Sequence, residues 1–343
     1  MEDVKNLLPG ELRSFMESLG EPSYRGDQVF SWLHKQRACS FDDMTNLPLP
    51  LRQKLKDTAR IVCLKVISRR EGGRDTVKYL LETHESDAIE AVRMEYRYGI
   101  SACLSTQIGC KMACSFCASG MGGFVRNLTA SEIVDEVLRI NNDVAPLGAH
   151  VGNIVLMGTG EPLDNYDASV KALRILNAEE GLGISFRRMT VSTCGLVPGM
   201  RRLAEEGIPV TLSVSLHAPT DDVREQLMPI NRRYPIGELM DAAIYYLERT
   251  GRRVSFEYAL IRGVNDGDTH AYQLADLLKD QSSHVNLIPL NPVEERDYAR
   301  PSRVRIGRFV KILQDASIPV TVRRELGLDV NAACGQLRRR CCR

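Results

Sequence analysis

The sequence has no surplus of charge of one sign: 45 lysines and arginines face 44 aspartates and glutamates, a formal net charge of +1. Such a chain does not draw nucleic acid in through a global positive field, so any nucleic-acid surface must be a local patch. No apolar run reaches the length that spans a bilayer, so no membrane partner is expected. The first residues, "MEDVKNLLPGELRSFMESLG", are polar and acidic without an apolar signal core, and the expectation is a cytoplasmic protein. Low-complexity linkers and short solenoid-type repeats are also missing. What remains is an ordinary globular balance, 43% hydrophobic and 26% charged over 343 residues, enough for one large domain and a smaller one. Ten cysteines in this setting read better as metal or catalytic thiols than as a disulfide framework.

Hydropathy patterning divides the chain in three. Residues 1–60 carry helical periodicity in "ELRSFMESLG" and "RGDQVFSWLHKQ", with a helix restarting in "NLPLPLRQKL". Residues 61–95 turn to strands, "IVCLKVISRR", "DTVKYLLET" and "AIEAVRMEY", the first two joined at "REGGRD". From 96 to 343, strand candidates "ISACLS", "NIVLM", "RMTVS", "VTLSVS", "VSFEYALI" and "HVNLIPL" alternate with helices such as "TASEIVDEVLRI" and "IGELMDAAIYYLERT". Roughly six β/α units in series predict an α/β fold, a parallel barrel or an open portion of one.

In such folds the chemistry sits at the C-terminal ends of strands. The strand-end candidates here are Cys103 to Ser105, Gly160 and Glu161 in "GTGEP", Ser192, Ser215 to His217, and Asn291. Each has a plainer reading: a turn for Gly160-Glu161-Pro162, a helix cap for Ser192, a satisfied core histidine for His217. Their shared position after successive strands weighs against those readings. The strongest signal is "GCKMACSFCASG", residues 109–120, which sets Cys110, Cys114 and Cys117 at spacings of four and three. Structural zinc takes four ligands and disulfides take pairs, so an odd set suggests a metal centre with one open position; zinc completed by a distant ligand is the alternative.

The triad's spacing resembles the CxxxCxxC signature of radical S-adenosylmethionine enzymes, and Phe116 matches their aromatic before the last cysteine. That resemblance implies a partial, six-unit radical barrel with a small helical N-terminal domain. It also implies a 4Fe–4S cluster held by Cys110, Cys114 and Cys117. S-adenosylmethionine would bind at Gly160, Glu161, Ser192, Ser215, Leu216, His217 and Asn291. "GTGEP" resembles the superfamily's "GGE" motif, with Thr159 as a mild departure. A closer resemblance covers nearly the whole chain: "IGCKMACSFCASGMGGFVRNLTASEI", "MGTGEPLDNYD", "VSLHAPTDDVREQLMPINRRYPI", "HVNLIPLNPVEERDY" and "AACGQLRRR" are similar to the RlmN family of bacterial RNA adenine-C2 methyltransferases. The related Cfr enzymes modify C8 of the same adenosine. The blocks favour C2, and C8 stays open.

This second resemblance implies the substrates: 23S rRNA near the peptidyl transferase centre and the tRNA adenosine beside the anticodon. It implies a monomer served by an electron donor such as flavodoxin. It also implies three catalytic residues. Cys334 would carry a methyl group that, as a carbon radical, joins C2. Cys103 would attack the Cys334 sulfur to release methylated RNA and leave a Cys103–Cys334 disulfide. Glu90 would be the general base. Cys39, Cys63 and Cys194 read as structural. For RNA contacts the candidates are Arg323, Arg324, Arg338, Arg339 and Arg340 beside Cys334, and Arg25, His34, Lys35 and Arg37 near Phe30 and Trp32. The rivals are another radical enzyme, such as an activase, and a zinc-dependent RNA-binding module. The first has no need of a Cys103–Cys334 pair, and the second would be colourless.

Overall fold

The computed structural model describes residues 1–337 except Arg74, Asp280, Glu325, Leu326, Leu328 and Asp329. Arg338, Arg339 and Arg340 lie outside the described residues. A single ten-stranded sheet organises the chain. Its strands are β1 (Lys65–Gly72), β2 (Thr76–Glu82), β3 (Ala88–Tyr96), β4 (Gly99–Cys103), β5 (Val151–Leu156), β6 (Met189–Thr193), β7 (Thr211–Ser215), β8 (Val254–Leu260), β9 (Ser283–Pro289) and β10 (Val320–Val322). They lie side by side in chain order. β1 to β4 form an antiparallel meander, and β4 to β10 run parallel.

Each parallel step crosses over through helix, which is what parallel pairing demands. The crossovers include α4 (Ala130–Val144), α5 (Tyr166–Asn177), α6 (Val197–Glu205), α8 (Ile236–Thr250), α9 (Asp268–Leu278) and α10 (Arg303–Asp315), with the short α7 (Asp221–Leu227) before α8. The six β/α units run from β4 to α10, and β10 adds a seventh parallel strand. Among the described residues β10 pairs only with β9, and β4 only with β3 and β5, so the barrel stays open. α4 shows why these segments fold as they do. Thr129 accepts from the Glu132 N–H at 3.2 Å, and the Glu132 carboxylate accepts from the Thr129 N–H at 2.9 Å, which fixes the helix start. Ile133, Val134, Val137, Leu138 and Ile140 are then buried, each contributing roughly 1.5–3 kcal/mol.

The N-terminal helices α1 (Pro9–Ser18), α2 (Tyr24–His34) and α3 (Leu49–Thr58) share one apolar cluster with the barrel helices. A buried ion pair, Lys5 Nζ to Asp135 at 2.8 Å, joins the N-terminus to α4. Burial pulls the Lys5 pKa down while Asp135 opposes it. Phe30 and His34 are buried in this core, with the His34 ring tilted on Phe30 at 4.2 Å, so neither offers a surface to RNA. Trp32 donates to Asn46 Oδ1 at 2.5 Å. Two of the three cysteines read as structural pair with one another, which the sequence reading did not foresee. Cys39 and Cys63 are disulfide-bonded, their Cα atoms 6.0 Å apart, joining the loop after α2 to the connection between α3 and β1. No helix among the described residues is long and apolar enough to cross a membrane.

Candidate cofactor site and thiol pair

One cavity opens at the C-terminal ends of the parallel strands, about 960 Å³ including its mouth. It is lined by Cys110, Cys114, Cys117, Gly160, Glu161, Ser192, Ser215, His217, Asn291 and Cys334. Leu216 does not line it: the side chain is wholly buried in the core, and the Leu216 N–H donates to Glu257 O at 3.1 Å.

The triad loop is anchored on three sides. The Ser115 N–H donates to Leu227 O at 2.9 Å, the Ala118 N–H donates to Gly335 O at 2.8 Å, and Met112, Cys114 and Phe116 pack on a small apolar cluster. Gly109 has φ +77, and a Cβ there would sit 1.7 Å from Gly123 O, so the loop closes only with glycine. The Phe116 ring meets His217 edge-on at 5.0 Å. Burial pushes the Cys110 thiol up to about 12 and Cys114 well above its usual value. Buried thiols of this kind need a cationic centre to be held as thiolates. The donor set, three soft sulfurs on one loop, fits iron–sulfur ligation. Among the described residues no three His, Cys, Asp or Glu side chains converge on a site for a single metal ion. A cluster, in which each thiolate takes its own iron, does not require that convergence.

Opposite the triad, the chain after β5 turns sharply. Gly160 has φ +111, and a Cβ there would lie 2.7 Å from Gln107 Cβ. The Glu161 N–H donates to Gln107 Oε1 at 2.9 Å. The Glu161 carboxylate accepts from the N–H groups of Cys194 at 2.7 Å and Leu163 at 3.1 Å. Burial raises its pKa, and those donors oppose the rise. The Ala259 N–H donates to His217 Nδ1 at 2.9 Å, so Nε2 carries the ring proton. Burial lowers the His217 pKa to about 3, Arg224 adding to it, which keeps the ring neutral.

Cys334 is brought here by a C-terminal segment that crosses the open side of the barrel. Asn291 Nδ2 donates to Cys334 O at 3.1 Å, Gln336 Nε2 to Pro292 O at 2.9 Å, and Ser119 Oγ to Leu337 O at 2.7 Å. Lys78 Nζ, from the meander, donates to Asn331 O at 2.7 Å. Cys334 also lines a second, smaller pocket together with Cys103, the last residue of β4. Burial raises both thiols; Arg323 opposes the rise at each. Glu90, on β3, lines neither of these two pockets; it pairs at 2.8 Å with Lys78, the same ammonium that holds Asn331 O of the Cys334 segment.

Comparison with known proteins bears on this arrangement. Residues 104–275 match the radical SAM superfamily, and residues 3–61 match the ribosomal RNA large subunit methyltransferase N-terminal domain. The chain is 49% identical over 341 residues to a probable dual-specificity RNA methyltransferase RlmN from Thermoanaerobacter, covering 99% of this chain and 98% of the relative. The chain belongs to the RlmN family. A second relative of that name, from Symbiobacterium thermophilum, is 51% identical over 339 residues, 97% of this chain and 91% of its own. A solved radical SAM methyltransferase from Sphaerobacter thermophilus superposes with a TM-score of 0.95 at 47% identity, covering 98% of this chain and 99% of that one.

Of three further residues at this RlmN-family site, Arg224 and Glu257 were missed from the sequence, and Arg323 was read only as an RNA contact. Arg224 is wholly buried and donates to Cys194 O at 2.6 Å, Leu216 O at 3.1 Å and Ser215 O at 3.3 Å, tying two strand ends together. Glu257 accepts from Ser213 Oγ at 2.7 Å and Asn286 Nδ2 at 2.8 Å. Arg323 bridges these parts: its guanidinium is 3.9 Å from Glu257 and lines both pockets that hold Cys334. A carboxylate in the otherwise apolar strand "VSFEYALI" was the one available hint, at Glu257.

Proposed function

We propose that this chain methylates C2 of adenosine in RNA, in 23S rRNA and in tRNA, through an S-methyl group carried on Cys334. The observation that carries the reading is that Cys334 lines both the triad's cavity and the pocket that contains Cys103. The names borne by the relatives, dual-specificity RNA methyltransferase, support RNA as the substrate. A 4Fe–4S cluster and S-adenosylmethionine, when bound, supply a methyl group and reductive cleavage of a sulfonium C–S bond. Cys110, Cys114 and Cys117 would hold the cluster. Glu161, with the backbone at Gly160, would hold the amino group of S-adenosylmethionine, and Ser192, Ser215, His217 and Asn291 would line its bed.

The chain's own groups then do the following. The Cys334 thiol loses its proton and accepts the methyl group, with Arg323 beside it favouring the thiolate against burial. The S-methyl group would give a hydrogen atom to the radical that sulfonium cleavage supplies. When the resulting methylene carbon joins C2, the adduct must lose one electron, for which the cluster would be the acceptor, and the C2 proton, for which we assign Glu90 as base, its carboxylate fixed by Lys78. The Cys103 thiolate attacks the Cys334 sulfur. A disulfide forms, the sulfur–methylene bond breaks, and its electron pair stays with the carbon, which takes a proton to become the methyl group. The helical segment 1–60 serves as the RNA-binding accessory domain. The enzyme works in the cytoplasm as a monomer with a donor such as flavodoxin.

The test is nucleoside mass spectrometry of rRNA and tRNA after anaerobic turnover, against 2-methyladenosine and 8-methyladenosine standards. Only 2-methyladenosine is expected. 8-Methyladenosine would reassign the regiochemistry, and no methylated nucleoside would overturn the reading.

A further inference from the structure

The hairpin between β3 and β4 places an aromatic pair at the edge of the thiol pocket. Tyr96 ends β3 and pairs in register with Gly99, leaving Arg97 and Tyr98 as the two-residue connection. The rings of Tyr96 and Tyr98 are stacked, their centroids 4.9 Å apart and their planes 6° from parallel. Tyr96 is half-buried and lines the pocket of Cys103 and Cys334. Tyr98 is 69% exposed, so its outer face is open.

Both tyrosines also line a larger chamber inside the barrel. Its wall carries Thr190, Thr211, Ser213 and Ser255 where barrels of this type are filled with branched apolar side chains. The chamber is thus polar and open, and Arg323 links it to the thiol pocket. Exposed Arg97 and Arg324 add positive charge at the same rim, although Arg324 is paired with Asp75 at 2.7 Å. An exposed stacked aromatic surface, cations beside it and a polar passage to the reacting sulfurs are the parts a single-stranded RNA site combines. A target adenine must leave its stack to reach Cys334, which strands its neighbour without a stacking partner.

We propose that Tyr98, backed by Tyr96, is the stacking platform for the RNA base adjoining the target adenine. This rests on the RNA-methyltransferase reading above. The alternative is a pair that merely stabilises the hairpin.

The experiment uses the cluster-loaded enzyme and a full-length unmodified tRNA carrying fluorescent 2-aminopurine at the position on either side of the target adenosine. With wild-type enzyme, fluorescence at one of the two positions should change on binding as that base moves onto the ring. Tyr98→Ala should weaken tRNA binding about 5- to 100-fold and abolish the change, since one base–aromatic stack is at stake. Tyr98→Phe should restore both. Iron content and S-methylation of Cys334 serve as fold controls. Tyr98→Ala binding tRNA as tightly as wild type overturns the proposal, and so does lost affinity with no fluorescence change at either position in wild type. Wild-type enzyme that neither binds nor methylates tRNA or rRNA overturns the parent reading, and this one with it.

Discussion

Cys110, Cys114 and Cys117 sit on one loop of a few residues, while Cys103 and Cys334 come from the first parallel strand and the C-terminal segment. The two groups face the same space by different means. The triad loop is built into the barrel: its backbone bonds to Leu227 and its side chains pack on a buried apolar cluster. The Cys334 segment is laid across the barrel's open side and held by side-chain hydrogen bonds from Asn291, Gln336, Ser119 and Lys78, one backbone bond from Ala118, and apolar packing confined to Leu337 and Ala332 against the small cluster of Val92, Met94 and Cys103. Apolar packing and interlocked backbone open at high free energy, whereas a segment tied by a few hydrogen bonds opens at low free energy. The difference suits the proposed division of work. A cluster needs a fixed cradle, and a thiol that is loaded, joined to RNA and then resolved needs a site that can move.

The most severe way to break the comparison is at the triad. Cys117→Ala should lose stoichiometric iron and all cleavage of S-adenosylmethionine, because the loop offers no replacement thiolate. Cys334→Ala should keep both, since its sulfur belongs to the other group. Iron assay and chromatographic detection of 5′-deoxyadenosine decide the matter. Full iron and normal cleavage in Cys117→Ala would merge the two groups into one structural set.

Next in size are the two thiols of the pair, Cys103 buried and Cys334 partly exposed, whose roles differ. Cys103→Ala should be inactive in turnover yet accumulate a covalent protein–RNA adduct at Cys334, because the bond from the Cys334 sulfur to carbon has nothing to break it. Cys334→Ala and the double variant should show no adduct. Denaturing gels with labelled RNA, followed by peptide mass spectrometry after ribonuclease, read this out. An adduct on any residue other than Cys334 would exchange or dissolve the assignments.

Smaller, and confined to the part of the cavity around Gly160 and Glu161, is the effect of Glu161→Gln. Its carboxylate is held by the Cys194 and Leu163 N–H groups, so the change keeps the shape and removes the charge. S-adenosylmethionine affinity should fall about 10- to 100-fold, the scale of one charge-assisted hydrogen bond. Iron content should hold. Isothermal titration against iron assay separates the outcomes, and iron lost at unchanged affinity would make Glu161 part of the cluster's cradle instead.

The same contrast explains what could be read from the sequence. Alternating strands and helices from "ISACLS" to "HVNLIPL" predict the six β/α units because parallel strands and their crossovers leave local patterns of period two and 3.6. Cys110, Cys114 and Cys117 were legible for the same reason: their geometry is local. Cys334 was not, since "AACGQL" has no periodicity and only hydrogen bonds to distant residues place it; the family resemblance alone pointed there. Arg224 stayed hidden because a buried arginine looks like any surface one until its carbonyl partners are known, and Arg323 read only as a phosphate contact because its carboxylate neighbour Glu257 is distant in sequence. His34 failed in the other direction. Next to cationic Lys35 and Arg37 it looked like a surface residue, yet helical spacing turns it inward onto Phe30. Cys39 and Cys63 show a third limit, since their approach depends on how α2, α3 and the following strand fold back on one another.

The finest test of the comparison is Gln336→Ala. The Gln336 amide donates to Pro292 O at 2.9 Å, and its oxygen accepts from the Ala333 N–H at 3.2 Å, so it pins the segment on both sides of Cys334. Removing it leaves the part-buried Pro292 carbonyl and the buried Ala333 N–H without that partner, about 1–2 kcal/mol locally. That corresponds to roughly 5- to 30-fold more frequent opening of residues 331–337, visible as faster amide hydrogen exchange there. The triad loop touches this segment only at its end, through Ala118 and Ser119, and is also held by Leu227 O and its own apolar cluster, so its amides before Ala118 should exchange at the wild-type rate and the iron should stay. If exchange quickens equally in both places, the Cys334 segment is not a separately movable part, and the barrel mouth opens and closes as one body.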